Sequence, residues 1–353
     1  MDIPDTAPPQ DVPPSEDLLD SPAVAPEAPR RGTAASKLSG KGSSRLGDLF
    51  FAGSSRGSGI LLLVIMAAIA VFLTIRAVIA IHADTGNFLT TFDWNAQLGT
   101  PPSFGIALLA FGTVVSALIA MLLAVPVSIG VALFISHYAP RRMAQVLGYV
   151  VDLLAAVPSI VYGLWGALFL VPHMLGVNAW LNTYFGWTYL FGEGDQVGVQ
   201  PRSLFTVGVL LAIMILPIVT AVTREIFLQV PRMYEEAALA LGATRWEVIR
   251  TSVLPFARSG IVSASMLGLG RALGETMAVA TVLSSNLVFS LHLTAPGGST
   301  IAQNIATQFG EAQGVGRDAL IASGLVLFLI TLLVNGGARL IIARRKEYSG
   351  ANA

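Results

Sequence analysis

The chain has 353 residues, 54% of them hydrophobic and only 12% charged, where an ordinary soluble domain carries about a quarter charged residues. That balance belongs in a lipid bilayer and excludes an ordinary soluble fold. Formal net charge is zero, and the lack of cysteine excludes disulfide frameworks, thiolate metal sites and cysteine nucleophiles.

Residues 1–57 are rich in Pro, Ala, Ser and acidic groups, and from Arg30 in Gly, Ser and Lys/Arg. They offer too little apolar surface to offset ordering entropy, which predicts a disordered tail. The first apolar run begins near Ile60, too deep in the chain and too long for a signal-peptide core, and reads as a retained transmembrane helix. Six segments approach the roughly 20 apolar residues a bilayer core requires: 59–81, 107–136, 145–171, 203–227, 258–284 and 319–343. They predict an all-α integral membrane domain over 58–345, with a short C-terminal tail at 346–353. Arg76, near the outer end of the first span, reads as a snorkelling side chain. Gly112 and Pro126 mark kinks in the second.

Positively charged loops stay cytoplasmic, and Lys/Arg placement orients the bundle. Arg30, Arg31, Lys37, Lys41, Arg45 and Arg56 precede the first span, Arg141 and Arg142 follow the second, and Arg344, Arg345 and Lys346 end the chain. The alternate connections hold only Arg202 and Arg317, so both termini are expected in the cytoplasm. Trp94, Trp180, Tyr184, Trp187 and Tyr189 fall in the outer loops, where aromatic rings suit the headgroup boundary or a docked partner.

The connection after the fourth span, Val230 to Pro255, is long, amphipathic and charged. Its apolar positions are interrupted at Gly242, which predicts two short helices meeting at a sharp turn. Such a shape lies on the membrane surface or docks into a partner's groove.

The fifth span places Arg271 and Glu275 four residues apart, one helical turn on one face. Arg271 falls about 20 Å along that helix from Arg258, near the bilayer centre. An ionisable pair there either lines a polar path or locks helix packing. Gly268, Gly270 and Gly274 permit close approach of a neighbouring helix or of a passing substrate. Asp152, two turns inside the third span, and Arg224 with Glu225, at the end of the fourth, read as interfacial charges. The four histidines lack ligand spacing and define no metal site.

Glu236, Ala237, Ala238, then three residues, Gly242, and a stretch ending in Leu254 and Pro255 resemble the EAA loop of ABC importer permeases, which fits a cleft on the ATPase subunit. The family pattern has an aliphatic residue two positions before the Leu-Pro pair, where this chain has Ser252. The runs LAAVPSIVYGLWG, ILPIVTAVTREIF, GLGRALGETMAV and TIAQNIATQFGEA resemble the PstC-type permeases of phosphate-specific importers, and the likeness covers roughly 105–343.

The resemblance implies a six-helix type I importer (MetI-like) fold with a cytoplasmic EAA coupling loop at 230–255, in a bacterial inner membrane. It implies a PstA-type second permease, two PstB-type ATPase subunits and a PstS-type phosphate-binding protein, with no nucleic-acid partner. It carries the phosphate-pathway arginine and glutamate over to Arg271 and Glu275, and ATPase coupling to Glu236, Ala237, Ala238, Gly242, Leu254 and Pro255. The nearest phosphate-loop lookalike, Gly40-Lys41-Gly42-Ser43, has Gly where Ser or Thr must follow the Lys and Ala35 where the first Gly belongs. No cofactor is therefore expected in this chain, and ATP and Mg fall to the ATPase; the chain is a non-catalytic subunit. The alternatives are a permease for sulfate or molybdate, which shares the loop, and a secondary transporter, which explains the intramembrane charge but not the loop.

Overall fold

The computed structural model describes residues 44–95, 102–192, 201–284 and 287–346. The expectations for 1–43 and 347–353 fall outside the described residues. α1 (Ser44–Ala83) is helical from its first residue, so 44–57, expected in the tail, is helix instead. Helix propagation costs little once the following apolar run supplies a nucleus. By its contacts the chain forms two units, Met1–Val64 and Ile65–Ala353; the described part of the first is the exposed start of α1, and the second is a helical bundle.

After a two-residue hairpin of β1 (Trp94–Asn95) and β2 (Ser103–Phe104) come α2 (Ala107–Leu133), α3 (Arg141–Ala155), α4 (Ser159–Trp165), α5 (Val171–Phe185) and α6 (Leu204–Leu228). The chain continues through α7 (Arg232–Ala240), α8 (Arg245–Val248), α9 (Leu254–Leu273), α10 (Met277–Val282), α11 (Ile301–Gln308) and α12 (Val315–Lys346). Single π-helical turns extend α2, join α4 to α5, and join α8 to α9. Six helical stretches are long and apolar enough to cross a membrane: Leu49–Ala83, Ala107–Tyr138, Ser159–Phe185, Leu204–Leu228, Arg245–Leu273 and Val315–Leu340.

Two of them correct the sequence reading. The expected third span, 145–171, merges two helices. Pro158 has no N–H and disfavours a helical residue before it, so α3 stops at Ala155 and α4 starts at Ser159. The 15 residues of α3 reach only about 22 Å, short of a hydrocarbon core of about 30 Å. The membrane-length stretch is displaced to Ser159–Phe185, which puts Trp180 and Tyr184 on α5 rather than in a loop. Asp152 lies near the end of α3, with its side chain half exposed and ion-paired to Arg224 at 3.3 Å. The expected fifth span, 258–284, is also broken: α9 ends at Leu273, residues 274–276 are non-helical, and α10 begins at Met277.

α6 is apolar on every face and occupies the middle of the bundle, as such a helix must; Val207, Leu210, Leu211, Met214, Ile215 and Val219 are buried along it. The Ser128 hydroxyl on α2 donates to the Leu216 carbonyl on α6 at 3.1 Å, beside the helix-internal prolines Pro126 and Pro217. A second core joins Ala77 and Ala80 of α1 to Leu320 and Ala322 of α12. There Arg76 pairs with Asp318 at 3.2 Å rather than simply reaching for headgroups. Sequence reading placed no element between 285 and 318. The structure puts α11 there, started by a Thr300/Gln303 capping box and anchored where the Thr113 hydroxyl accepts the Ile301 N–H at 2.9 Å.

Because the chain has no cysteine, the two-helix reading is open to labelling. Asp152→Cys should react with a membrane-impermeant maleimide from the same side as Arg142→Cys. Protection of Asp152→Cys by lipid, as a span over 145–171 requires, would return α3 to the membrane interior.

Candidate functional site

Arg271 and Glu275 do not share a helix face, because the break at 274–276 lies between them. Arg271 is half-buried in the last turn of α9, and Glu275 is buried just before α10. Among the described residues no ion pair joins the two. Each charge meets a helix end of suitable sign. Arg271 belongs to the last turn of α9, the end at which a helix dipole is negative. The Glu275 carboxylate accepts the Ala278 N–H at 3.1 Å, satisfying an amide that a helix start would leave open.

The surrounding glycines divide in use. Gly268 packs on α6, where a Cβ would come within 2.6 Å of Val219 Cγ2, whereas Gly270 faces open space next to Arg271. Across the break, α4 presses on α10: a Cβ on Gly163 would lie 2.5 Å from Thr281 Oγ1 and 2.8 Å from Ala278 Cα. Tyr162, beside that glycine, is the residue the sequence reading missed. Its hydroxyl donates to the Leu154 carbonyl at 2.9 Å, and it lies within the electrostatic field of Arg271. The available signal was Pro158, whose missing N–H deprives the Leu154 carbonyl of its helical donor.

At the Arg224 end of the bundle, 230–255 folds as expected into two short arms. α7 ends in a Schellman motif: Gly242 has φ of 86°, its N–H bonds the Leu239 carbonyl at 2.9 Å, and the Ala243 N–H bonds the Ala238 carbonyl at 3.1 Å. α8 starts with a Thr244/Glu247 capping box. Ser252 donates to the Tyr234 carbonyl at 3.4 Å, tying the second arm to the first. His137, at the end of the second span, lies 3.6 Å from Glu235 of α7. Val230, Ile249, Val253 and Ala257 bury the loop's inner face against Ala132 and Phe227. Glu236 and Ala237 are exposed, Ala238 and Leu254 half-buried, and Pro255 lies exposed in the first turn of α9. On the same two arms Leu241 is 90% and Trp246 57% exposed, and Met233 and Tyr234 are exposed as well.

The fold and these two sites define a multi-pass membrane protein built like a transport permease. A family model described as "Binding-protein-dependent transport system inner membrane component" matches residues 124–347. The chain is 44% identical over 299 residues to the phosphate transport system permease protein PstC 2 of Mycobacterium tuberculosis, covering 84% of this chain and 92% of that one. It is 45% identical over 277 residues to PstC of Mycobacterium leprae (78% and 87% covered) and 43% identical over 274 residues to PstC of Xylella fastidiosa (76% and 82% covered). A bacterial ABC transporter involved in import of the acidic polysaccharide alginate is 18% identical, with a TM-score of 0.49, covering 85% of this chain and 99% of that one. The chain belongs to the binding-protein-dependent transport permease family, in its PstC-type branch.

A β-branched residue at the positive φ of Gly242 costs about 1–2 kcal/mol locally and breaks the turn. Gly242→Val should therefore speed proteolysis between α7 and α8 in the detergent-solubilised chain while the spans resist. Unchanged cleavage would show that the turn does not depend on the glycine.

Proposed function

We propose that the chain is a pathway-forming subunit of an ATP-driven importer of inorganic phosphate, with both termini in the cytoplasm of a bacterial inner membrane. The observation that carries this is an unpaired guanidinium at a break in a membrane helix, in a chain 43–45% identical over most of its length to proteins named as phosphate transport permeases. Discontinuous helices in transporters place charge and free backbone groups where a substrate passes. The Arg271 guanidinium can give paired hydrogen bonds to a phosphate oxyanion. Among the described residues no ion pair of Arg271 has to be broken first.

Glu275 lies beyond the break with one carboxylate oxygen on the Ala278 amide, which leaves the other oxygen to accept a hydrogen bond from protonated phosphate. Fully ionised sulfate has no such proton. The 230–255 loop, with its apolar outer face, couples to a separate ATPase through Glu236, Ala237, Ala238, Gly242, Leu254 and Pro255. ATP and Mg are bound and hydrolysed there, and closure of the ATPase pair drives alternating access. A second permease completes the path, and an extracytoplasmic phosphate-binding protein delivers the anion.

The test is ATP-dependent uptake of radiolabelled phosphate into vesicles holding the complete importer. Arg271→Ala should lower uptake at least tenfold while ATP hydrolysis stimulated by the binding protein persists; normal uptake would assign Arg271 to packing alone. Glu275→Gln keeps an acceptor for Ala278 and removes only the charge. It should weaken the preference for phosphate over sulfate, and an unchanged ratio would exclude Glu275 from selection.

A further inference from the structure

α1 is longer than one membrane crossing can use. Its 40 residues reach about 60 Å, whereas a hydrocarbon core of about 30 Å takes about 26 residues even at the steepest usual tilt of about 40°. Counted back from Ala83, that allowance ends at Ser58, just before the unbroken apolar run that begins at Ile60. The turns from Ser44 to Gly57 therefore extend beyond the hydrocarbon as helix. They lack the surface of a helix bathed in water. Leu49, Phe50 and Phe51 follow one another and are 70%, 81% and 76% exposed, and a patch of that kind marks a surface that something covers.

The surrounding charges choose between covers. From Arg30 to Arg56 the sequence holds Arg30, Arg31, Lys37, Lys41, Arg45 and Arg56 against Asp48 alone. A run of cations next to a membrane helix is drawn to an anionic leaflet, and a helix that adds leucine and phenylalanine to such cations lies in the headgroup layer. The sequence also supplies the means of lying down. Ser54, Ser55, Gly57, Ser58 and Gly59 gather weak helix formers into one block of α1. A Cβ on Gly57 or Gly59 would meet nothing within 4 Å, so among the described residues no neighbour holds that block straight. Kinks fall at Gly/Ser pairs of this kind.

We propose that residues 44–57 are a second membrane contact, an interfacial helix that binds anionic phospholipid, with Phe50 and Phe51 entering the acyl boundary and the flanking cations supplying the attraction. The block at 54–59 bends to lay it down. Attachment to a spanning helix keeps the segment at the bilayer surface, so it needs little affinity of its own. The leaflet is the cytoplasmic one in the orientation proposed above, and the contact does not depend on which substrate is carried.

The chain has no cysteine, so Gly53→Cys, at an exposed position without neighbours, takes a single environment-sensitive fluorophore in the full-length protein. The labelled protein is reconstituted in vesicles of phosphatidylcholine alone and of phosphatidylcholine with phosphatidylglycerol. Quenching by spin-labelled lipid should be several-fold stronger with phosphatidylglycerol and should weaken at high salt. The lipid preference should vanish when Arg45→Glu is combined with Arg56→Glu, and Phe50→Ser with Phe51→Ser should reduce quenching in both vesicles. The lipid comparison uses one and the same protein, so it stands even where a variant fails to fold. Quenching by an aqueous reagent in both vesicles, with none by the lipid label, would overturn the proposal. Aqueous exposure that disappears only in the complete importer would do the same, by giving the patch to a protein partner. Lipid quenching indifferent to phosphatidylglycerol would also overturn it, reducing the segment to a plain extension of the span.

Discussion

Hydrocarbon offers no water to a backbone amide or carbonyl, and each group left unmet there costs several kcal/mol. The breaks at 156–158 and 274–276, at the ends of the membrane-length stretches Ser159–Phe185 and Arg245–Leu273, are where this chain meets that constraint. At the first, the Tyr162 phenol reaches across to the Leu154 carbonyl. At the second, a carboxylate turns away from the arginine one would pair it with and takes the Ala278 amide. The breaks also touch, since Gly163 lets α4 lie directly on Ala278 and Thr281. Close-packed contacts of this kind shift between discrete arrangements rather than bending freely, so displacing one break requires the other to repack.

Much of this was legible in the sequence, for identifiable reasons. Membrane residence and the number of spans follow from apolar runs whose length the bilayer dictates. The turn at Gly242 was legible because only a residue without Cβ takes that φ at little cost, and the surrounding pattern supplied a helix on each side. The third span was misplaced because the apolar later part of α3, from Val146, runs on into the span that follows; hydropathy integrates over a window, whereas Pro158 acts at one peptide. The Arg271 and Glu275 pairing failed for a related reason. A spacing of four implies a shared face only if the helix is continuous, and the Gly274 that ends α9 was read as a packing residue. Tyr162 was invisible to any spacing rule, as its bond is to a carbonyl eight residues earlier that a proline had deprived of its helical donor.

The placement of charge follows from the same break. Had the fifth span stayed helical, the arginine and glutamate would have neutralised each other side by side, and an incoming anion would face the cost of separating them. With the helix interrupted, the arginine falls in the last turn of α9 and the glutamate takes an amide at the start of α10. Among the described residues the arginine has no ion-paired counter-charge.

The coupling loop and the arginine lie at opposite ends of one element. Val253 is buried in the core that seats the loop, Leu254 opens α9, and Arg271 lies in its last turn. The 20 residues between those ends reach about 30 Å without interruption. An α-helix of that length is stiff, and its contact with α6 at Gly268 admits no side chain that could absorb sliding. The exposed face around Leu241 and Trp246 is thus joined to Arg271 through one continuous helix and the loop that opens it. Beyond the break at 274–276 the packing partner changes, for α9 rests on α6 and α10 on α4. The cation and the carboxylate therefore stand on segments held by different neighbours.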